Sequence, residues 1–123
     1  MYPTYKDKQI VLEKKFLNNY FRGDIVIIEK KSLKVIKRIV AIPNDTIIIK
    51  NNYVYVNDIK IDNLITEYSG IANTKILLKQ DEYFVLGDNR NNSVDSRYDE
   101  VGIINKNEIK GKIIGKKVTS YQF

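Results

Sequence analysis

The residues best suited to chemistry lie in two places. Glu82 to Arg97 reads Glu-Tyr-Phe-Val-Leu-Gly-Asp-Asn-Arg-Asn-Asn-Ser-Val-Asp-Ser-Arg, an apolar strand pattern that breaks at Gly87 into a polar loop. Asp88, Arg90, Asp95 and Arg97 give that loop two charges of each sign, beside the hydroxyls of Ser93 and Ser96. Asp–Arg forks fix geometry well, so such a loop is suited to holding a reactive group in place. Gly87, Asn89, Asn91 and Asn92 tolerate the positive φ values that a tightly folded loop calls for. The second place is Lys37-Arg38, set in an otherwise apolar run from Leu33 to Ile42. Neighbours on a strand point to opposite faces, so one of the two cations is expected against a low-dielectric wall. A lysine there is a candidate general base, because burial penalises its ammonium form. An edge strand that uses lysine against aggregation fits the pattern as well.

Composition narrows the chemistry. The chain has no Cys and no His, which rules out a disulfide framework, a thiolate nucleophile and a Ser-His-Asp triad. Proton transfer near neutral pH then falls to a Lys, Asp, Glu or Tyr of shifted pKa. No cofactor and no metal are expected. The 21 basic residues exceed the 15 acidic ones by six, which permits attraction to an anionic membrane or nucleic acid without establishing either. Nine Tyr and four Phe would serve a nucleic-acid-binding β-domain, but they show no regular interleaving with basic residues, and no nucleic-acid partner is expected. No apolar run approaches the roughly 18 residues of a membrane span.

The elements that must position these residues read as strands. At 123 residues and 43% hydrophobic, one domain with its own core is expected. Strands are expected at 9–13, 25–30, 33–42, 46–50, 53–56, 59–61, 75–78, 83–86, 101–104 and 111–119, on β-branched runs punctuated by turn residues. Lys31-Ser32, Pro43-Asn44-Asp45, Asn51-Asn52 and Asn57-Asp58 mark turns, 62–74 is the longest irregular connection, and Asn105 is a candidate cap for one helical turn. The expected fold class is all-β: an antiparallel, barrel-like domain with few or no helices.

Three segments in order, Phe21-Arg22-Gly23-Asp24-Ile25-Val26, the run from Ile36 to Asp45, and Gly87 to Arg97, resemble the conserved boxes of type I signal peptidases. Met1-Tyr2-Pro3-Thr4 resembles a fourth, so the likeness runs the length of the chain. These are membrane-anchored serine endopeptidases that cut signal peptides from exported preproteins with a Ser/Lys dyad. The resemblance implies Lys37 as the base and Ser93 as the hydroxyl that orients its amine. It also implies structural ion pairs Asp95 with Arg97 and Asp88 with Arg38, and a shallow substrate pocket touched by Met1, Tyr5 and Ile36. Implied partners are the signal peptides of exported preproteins and a membrane surface. The full-length protein would sit in a bacterial cell membrane with its catalytic domain on the outer face, this chain alone being soluble.

The departures set further expectations. In the family the nucleophilic serine directly precedes the position of Met1, where this sequence starts, so the chain is expected to be truncated just after the nucleophile and inactive as written. A natural homologue without the serine, holding extended peptides by strand addition, is the alternative. Ser93, Ser96, Ser69, Thr4 and Ser120 are other hydroxyls, of which Ser93 alone is placed near Lys37, in an orienting role. Asn44 stands where the family has Gly and Tyr5 where it has Leu. Asn accepts positive φ, so the turn at 43–45 can survive.

Overall fold

The computed structural model describes the backbone of Ile10–Glu13 and residues 19–114. Met1, Thr4, Tyr5 and Ser120, and the strand expected beyond Ile114, lie outside the described residues. Ten strands and three short 3₁₀ turns make up the regular structure, with no α-helix among the described residues. The antiparallel all-β expectation holds.

Ile25-Val26-Ile27-Ile28 opens β2 (Ile25–Lys30), and Lys31 at φ 57° turns it into β3 (Leu33–Ala41). A six-stranded sheet runs in the order β1 (Ile10–Glu13), β10 (Ile109–Ile114), β2, β3, β8 (Glu82–Leu86), β9 (Ile104–Asn105). A second sheet runs β6 (Ile59–Lys60), β5 (Tyr53–Val56), β4 (Thr46–Lys50), β7 (Ile76–Leu77). Both sheets stay open rather than closing into a barrel. β6, β7 and β9 have two residues each, too short to carry a closing ladder.

β3 and β8 lie between two apolar cores, which explains why the sequence there is apolar at nearly every position. Val40, Ala41, Phe84 and Leu86 pack with Ile47, Ile49, Val54 and Val56 of the second sheet. Ile39, Tyr83 and Val85 pack instead with Val26, Ile28, Ile104 and Ile109. The β3–β8 register shifts between Ile39 and Ala41, and this bulge lets Val40 and Ala41 join the same core. Before the bulge, alternation is regular, so Lys37 shares the face of Ile39 while Arg38 lies on the other.

Turn chemistry follows the asparagines. Asn51-Asn52 and Asn57-Asp58 all take positive φ, as tight hairpin turns require, and Asn44 takes φ 75° where a glycine would be usual. The 87–97 loop differs from expectation: Gly87, Asn89, Asn91 and Asn92 are not in the left-handed region, and the loop instead contains a 3₁₀ turn at Arg90–Asn92. The strand expected at 101–104 shortens to β9, because Val101 and Gly102 donate their amides back to the Tyr98 carbonyl. Lys30 Nζ then takes up the Val101 and Ile103 carbonyls at 2.8 and 3.0 Å. Asn105 caps the turn Lys106–Glu108 in a reciprocal box with Glu108.

The irregular 62–74 connection is fastened under the polar loop. Gly70 sits at φ +54° with its α-carbon against the Arg97 backbone; a Cβ there would lie 2.0 Å from the Arg97 carbonyl oxygen. Gly23, at φ +95°, faces open space. Gly70→Ala should therefore lower the unfolding free energy by about 3 kcal/mol, combining steric clash with left-handed strain, and Gly23→Ala by about 1. Urea denaturation of the two variants checks the contrast; equal losses would mean the loop and connection are not in contact.

Candidate active site

The site forms where β3 passes the loop that leaves β8. Lys37, from the middle of β3, is 1% exposed. Its Nζ donates to Ser93 Oγ at 2.7 Å, and Ser93 Oγ donates in turn to Asp95 Oδ2 at 3.1 Å. Arg97 forks Asp95 through Nε and Nη2, each at 2.8 Å, and both side chains of this pair are fully buried. Asp95 Oδ2 also accepts the Gly87 amide at 3.0 Å, which pins the start of the loop to its middle. The structure thus brings together Lys37, Ser93, Asp95 and Arg97 in one chain of hydrogen bonds.

Burial holds the Lys37 amine well below the usual lysine range, at about 8. Asp95 pulls it back up, Arg97 pushes it further down, and Asp88 again raises it. Desolvation is the largest of these effects, and a substantial neutral fraction near pH 8 is the condition for a lysine to accept a proton.

Arg38, on the opposite face, forks Asp88 at 3.0 and 2.9 Å and donates to the Gly23 carbonyl at 2.9 Å. This pair ties β3 to the loop from the side away from the lysine. Ile36, also a residue singled out in the sequence, packs on Ile25 and Ile113. Met1 and Tyr5 lie outside the described residues. Ser96, an alternative hydroxyl, is committed to β8: its Oγ accepts the Val85 amide at 3.0 Å and its own amide donates to the Val85 carbonyl.

Several supporting contacts are invisible in the sequence as such. Arg90, almost fully buried, donates to the Gly87 carbonyl, Thr66 Oγ1 and Asp62 Oδ2 at 2.9, 3.1 and 2.8 Å. Arg97 also reaches the carbonyls of Tyr68, Arg90 and Ser93. The loop is therefore folded around two guanidinium groups whose partners come partly from the 62–74 connection. Asp62 and Thr66 carried no signal of their own, because their role depends on a chain crossing that local pattern does not encode. Arg22 forks Asp45 at 2.8 and 2.6 Å, and Asp45 also accepts the Ile42 amide and Asn57 Nδ2. Burial raises the Asp45 pKa, but these hydrogen bonds together outweigh it and leave the carboxyl below its ordinary value. Among the described residues no group of three or more acidic side chains could hold a metal ion.

A buried lysine of lowered pKa, bonded to a serine on a rigid polar loop of an open β fold, is an arrangement suited to hydrolase chemistry by a lysine base. Residues 1–116 match the family described as "Signal peptidase, peptidase S26", and the chain belongs to this family, with the type I signal peptidases. It is 34% identical over 131 residues to signal peptidase I S of Bacillus subtilis (strain 168), covering 90% of this chain and 68% of that protein. It is 36% identical over 126 residues to signal peptidase I U of the same strain, covering 90% and 67%. The fold is shared with the crystal structure of a signal peptidase I from Enterococcus faecalis V583, at a TM-score of 0.62 and 22% identity, over 78% of this chain and 97% of that one. No helix among the described residues is long and apolar enough to cross a membrane.

Removing the guanidinium from the buried pair leaves Asp95 as an uncompensated charge. Arg97→Ala should lower the unfolding free energy by about 3 kcal/mol or more, whereas Lys75→Ala, which breaks an exposed pair with Asp58, should cost under about 1. Chemical denaturation distinguishes them.

The lysine gives a pH signature. Its folded pKa of about 8 lies below the unfolded value of 10.5, so between those values the unfolded chain binds more protons and stability rises with pH. Full integration over that window amounts to roughly 3 kcal/mol. In Lys37→Met this part of the rise should vanish, so the stability difference between variant and parent should shrink or grow steadily from pH 8 to 10.5 in favour of the parent. A difference flat across that window would mean the amine is not buried.

Proposed function

We propose that this chain is the lysine-bearing catalytic part of a serine endopeptidase that cleaves signal peptides from exported preproteins. Lys37 is the general base, Ser93 orients its amine, and Asp95–Arg97 and Arg38–Asp88 hold the loop and strand in register. The observation that carries this reading is the buried Lys37 Nζ, 2.7 Å from Ser93 Oγ and with a pKa of about 8, in a member of the signal peptidase family. On this reading the nucleophile is the hydroxyl of a serine directly before the position of Met1. With that serine in place, neutral Lys37 takes the hydroxyl proton as Oγ bonds to the substrate carbonyl carbon. The proton passes to the departing amine as the peptide bond breaks, and water then releases the acyl group.

The substrate is held as an added strand. On its β8 side β3 is paired over Arg38, Ile39 and Ala41, while Leu33 to Ile36 pair with β2 on the other side. Among the described residues no strand pairs with the edge before Lys37, which suits an extended peptide, with Ile36 beside the small residue that precedes the cut. The bacterial membrane surface is the second partner, since signal peptides are presented there.

The test joins a serine and upstream residues to Met1 and offers an Ala-x-Ala peptide in detergent. Cleavage should appear, rise with pH as Lys37 loses its proton and level off above about pH 8. Lys37→Met should reduce it by roughly 10²- to 10⁴-fold. A restored chain that folds and binds the peptide without cutting it would make the chain a peptide-binding module.

A further inference from the structure

A cleft of about 560 Å³ opens on the other side of the Arg38–Asp88 pair from Lys37, lined by Arg22, Arg38, Ile61, Leu64, Asp88 and Arg90. Its volume suits two or three residues of an extended chain. We propose that this cleft binds the part of the substrate that follows the scissile bond, and that it favours an acidic side chain there through Arg22. The inference rests on the reading of Lys37 and Ser93 as the site of cleavage.

Continuity gives the occupant. A peptide lying along Leu33–Ile36 meets Lys37 at the end of the open edge. One residue later β8 takes over that edge, with Arg38 opposite Leu86. The peptide must leave the sheet plane there, and Arg38 and Asp88, which flank that point, are walls of the cleft. If Ile36 lies beside the residue before the cut, the residues after it are the ones that reach Arg38 and beyond.

The hydrogen-bond inventory gives the preference. Asp88 accepts on both oxygens from Arg38, whose Nη1 is taken by the Gly23 carbonyl. Asp62 accepts from Arg90 and from the Leu64 amide, and Arg90 is buried with three acceptors. Arg22 spends Nε and Nη2 on Asp45, but its Nη1 makes no hydrogen bond to the described residues and its side chain is half exposed. The cleft therefore has carboxylates paired to arginines and, in Arg22, a guanidinium edge whose Nη1 makes no hydrogen bond to the described residues, with Ile61 and Leu64 as an apolar rim for an aliphatic stem. A carboxylate fits; an ammonium meets Arg22 beside carboxylates whose charge Arg38 and Arg90 already balance.

The Lys37→Met variant serves for the test, so that bound peptides stay uncut on the proposed reading. Fluorescence anisotropy at low salt would compare three labelled peptides: Ala-Lys-Ala alone, Ala-Lys-Ala-Glu-Glu and Ala-Lys-Ala-Lys-Lys. The Glu peptide should bind about fivefold tighter than the Lys peptide, the scale of a partly exposed charge contact. Arg22→Gln should remove the preference, and Leu64→Glu, at an exposed rim position, should reverse it even if loss of the Asp45 partner unfolds the first variant. Equal affinities, or a preference that survives Leu64→Glu, would overturn the inference while leaving the edge intact if Ala-Lys-Ala still binds. Failure of all three peptides to bind would overturn it together with the reading of the edge.

Discussion

A lysine amine out of water is unstable as a cation and useful as a base, and the architecture around Lys37 follows from keeping it there. Apolar strand residues alone would exclude water but leave the amine without orientation. A nearby carboxylate alone would restore the cation. The structure answers with a serine between the two: Asp95 binds Ser93, Ser93 binds Lys37, and Arg97 opposes the carboxylate's pull. The fully buried Asp95–Arg97 pair makes this possible, because the two charges act on the amine in opposite directions.

Arg90 and Arg97 extend the same logic to the loop backbone. Val94 is the one large apolar side chain of this segment and is exposed, so the loop carbonyls converge on two guanidinium groups instead. The remaining donors on those groups reach the 62–74 connection, and Gly70 lets that connection press against Arg97. Loop, connection and strand are thus one unit, held by charge-assisted hydrogen bonds where a larger protein would use apolar packing.

Much of this was legible in the sequence, and the limits are physical. Four consecutive β-branched residues in β2 and paired asparagines at the hairpin turns announced strands and turns directly, since both are local preferences. The lysine was marked by its apolar neighbours and the polar loop by its composition. What stayed hidden depends on contacts distant along the chain. Arg90 finds Thr66 and Asp62 more than twenty residues away, and no pattern in 62–74 distinguishes it from an ordinary surface connection. The strand read at 101–104 was displaced by a turn that Lys30 stabilises from seventy residues away. Closure into a barrel was a guess from strand density, and the two-residue strands that keep the sheets open are at the limit of what propensity can report.

The distant anchoring of the loop has a temporal side. In the six-stranded sheet β10 and β8 reach β2 and β3 from far along the chain, and Arg90 and Arg97 likewise reach their partners only when the connection and loop have both arrived. Where those segments are apart nothing desolvates the lysine on β3, and desolvation is the largest cause of its lowered pKa. The lowered basicity of Lys37 therefore belongs to the assembled fold, and the same lysine in a half-folded chain lacks it.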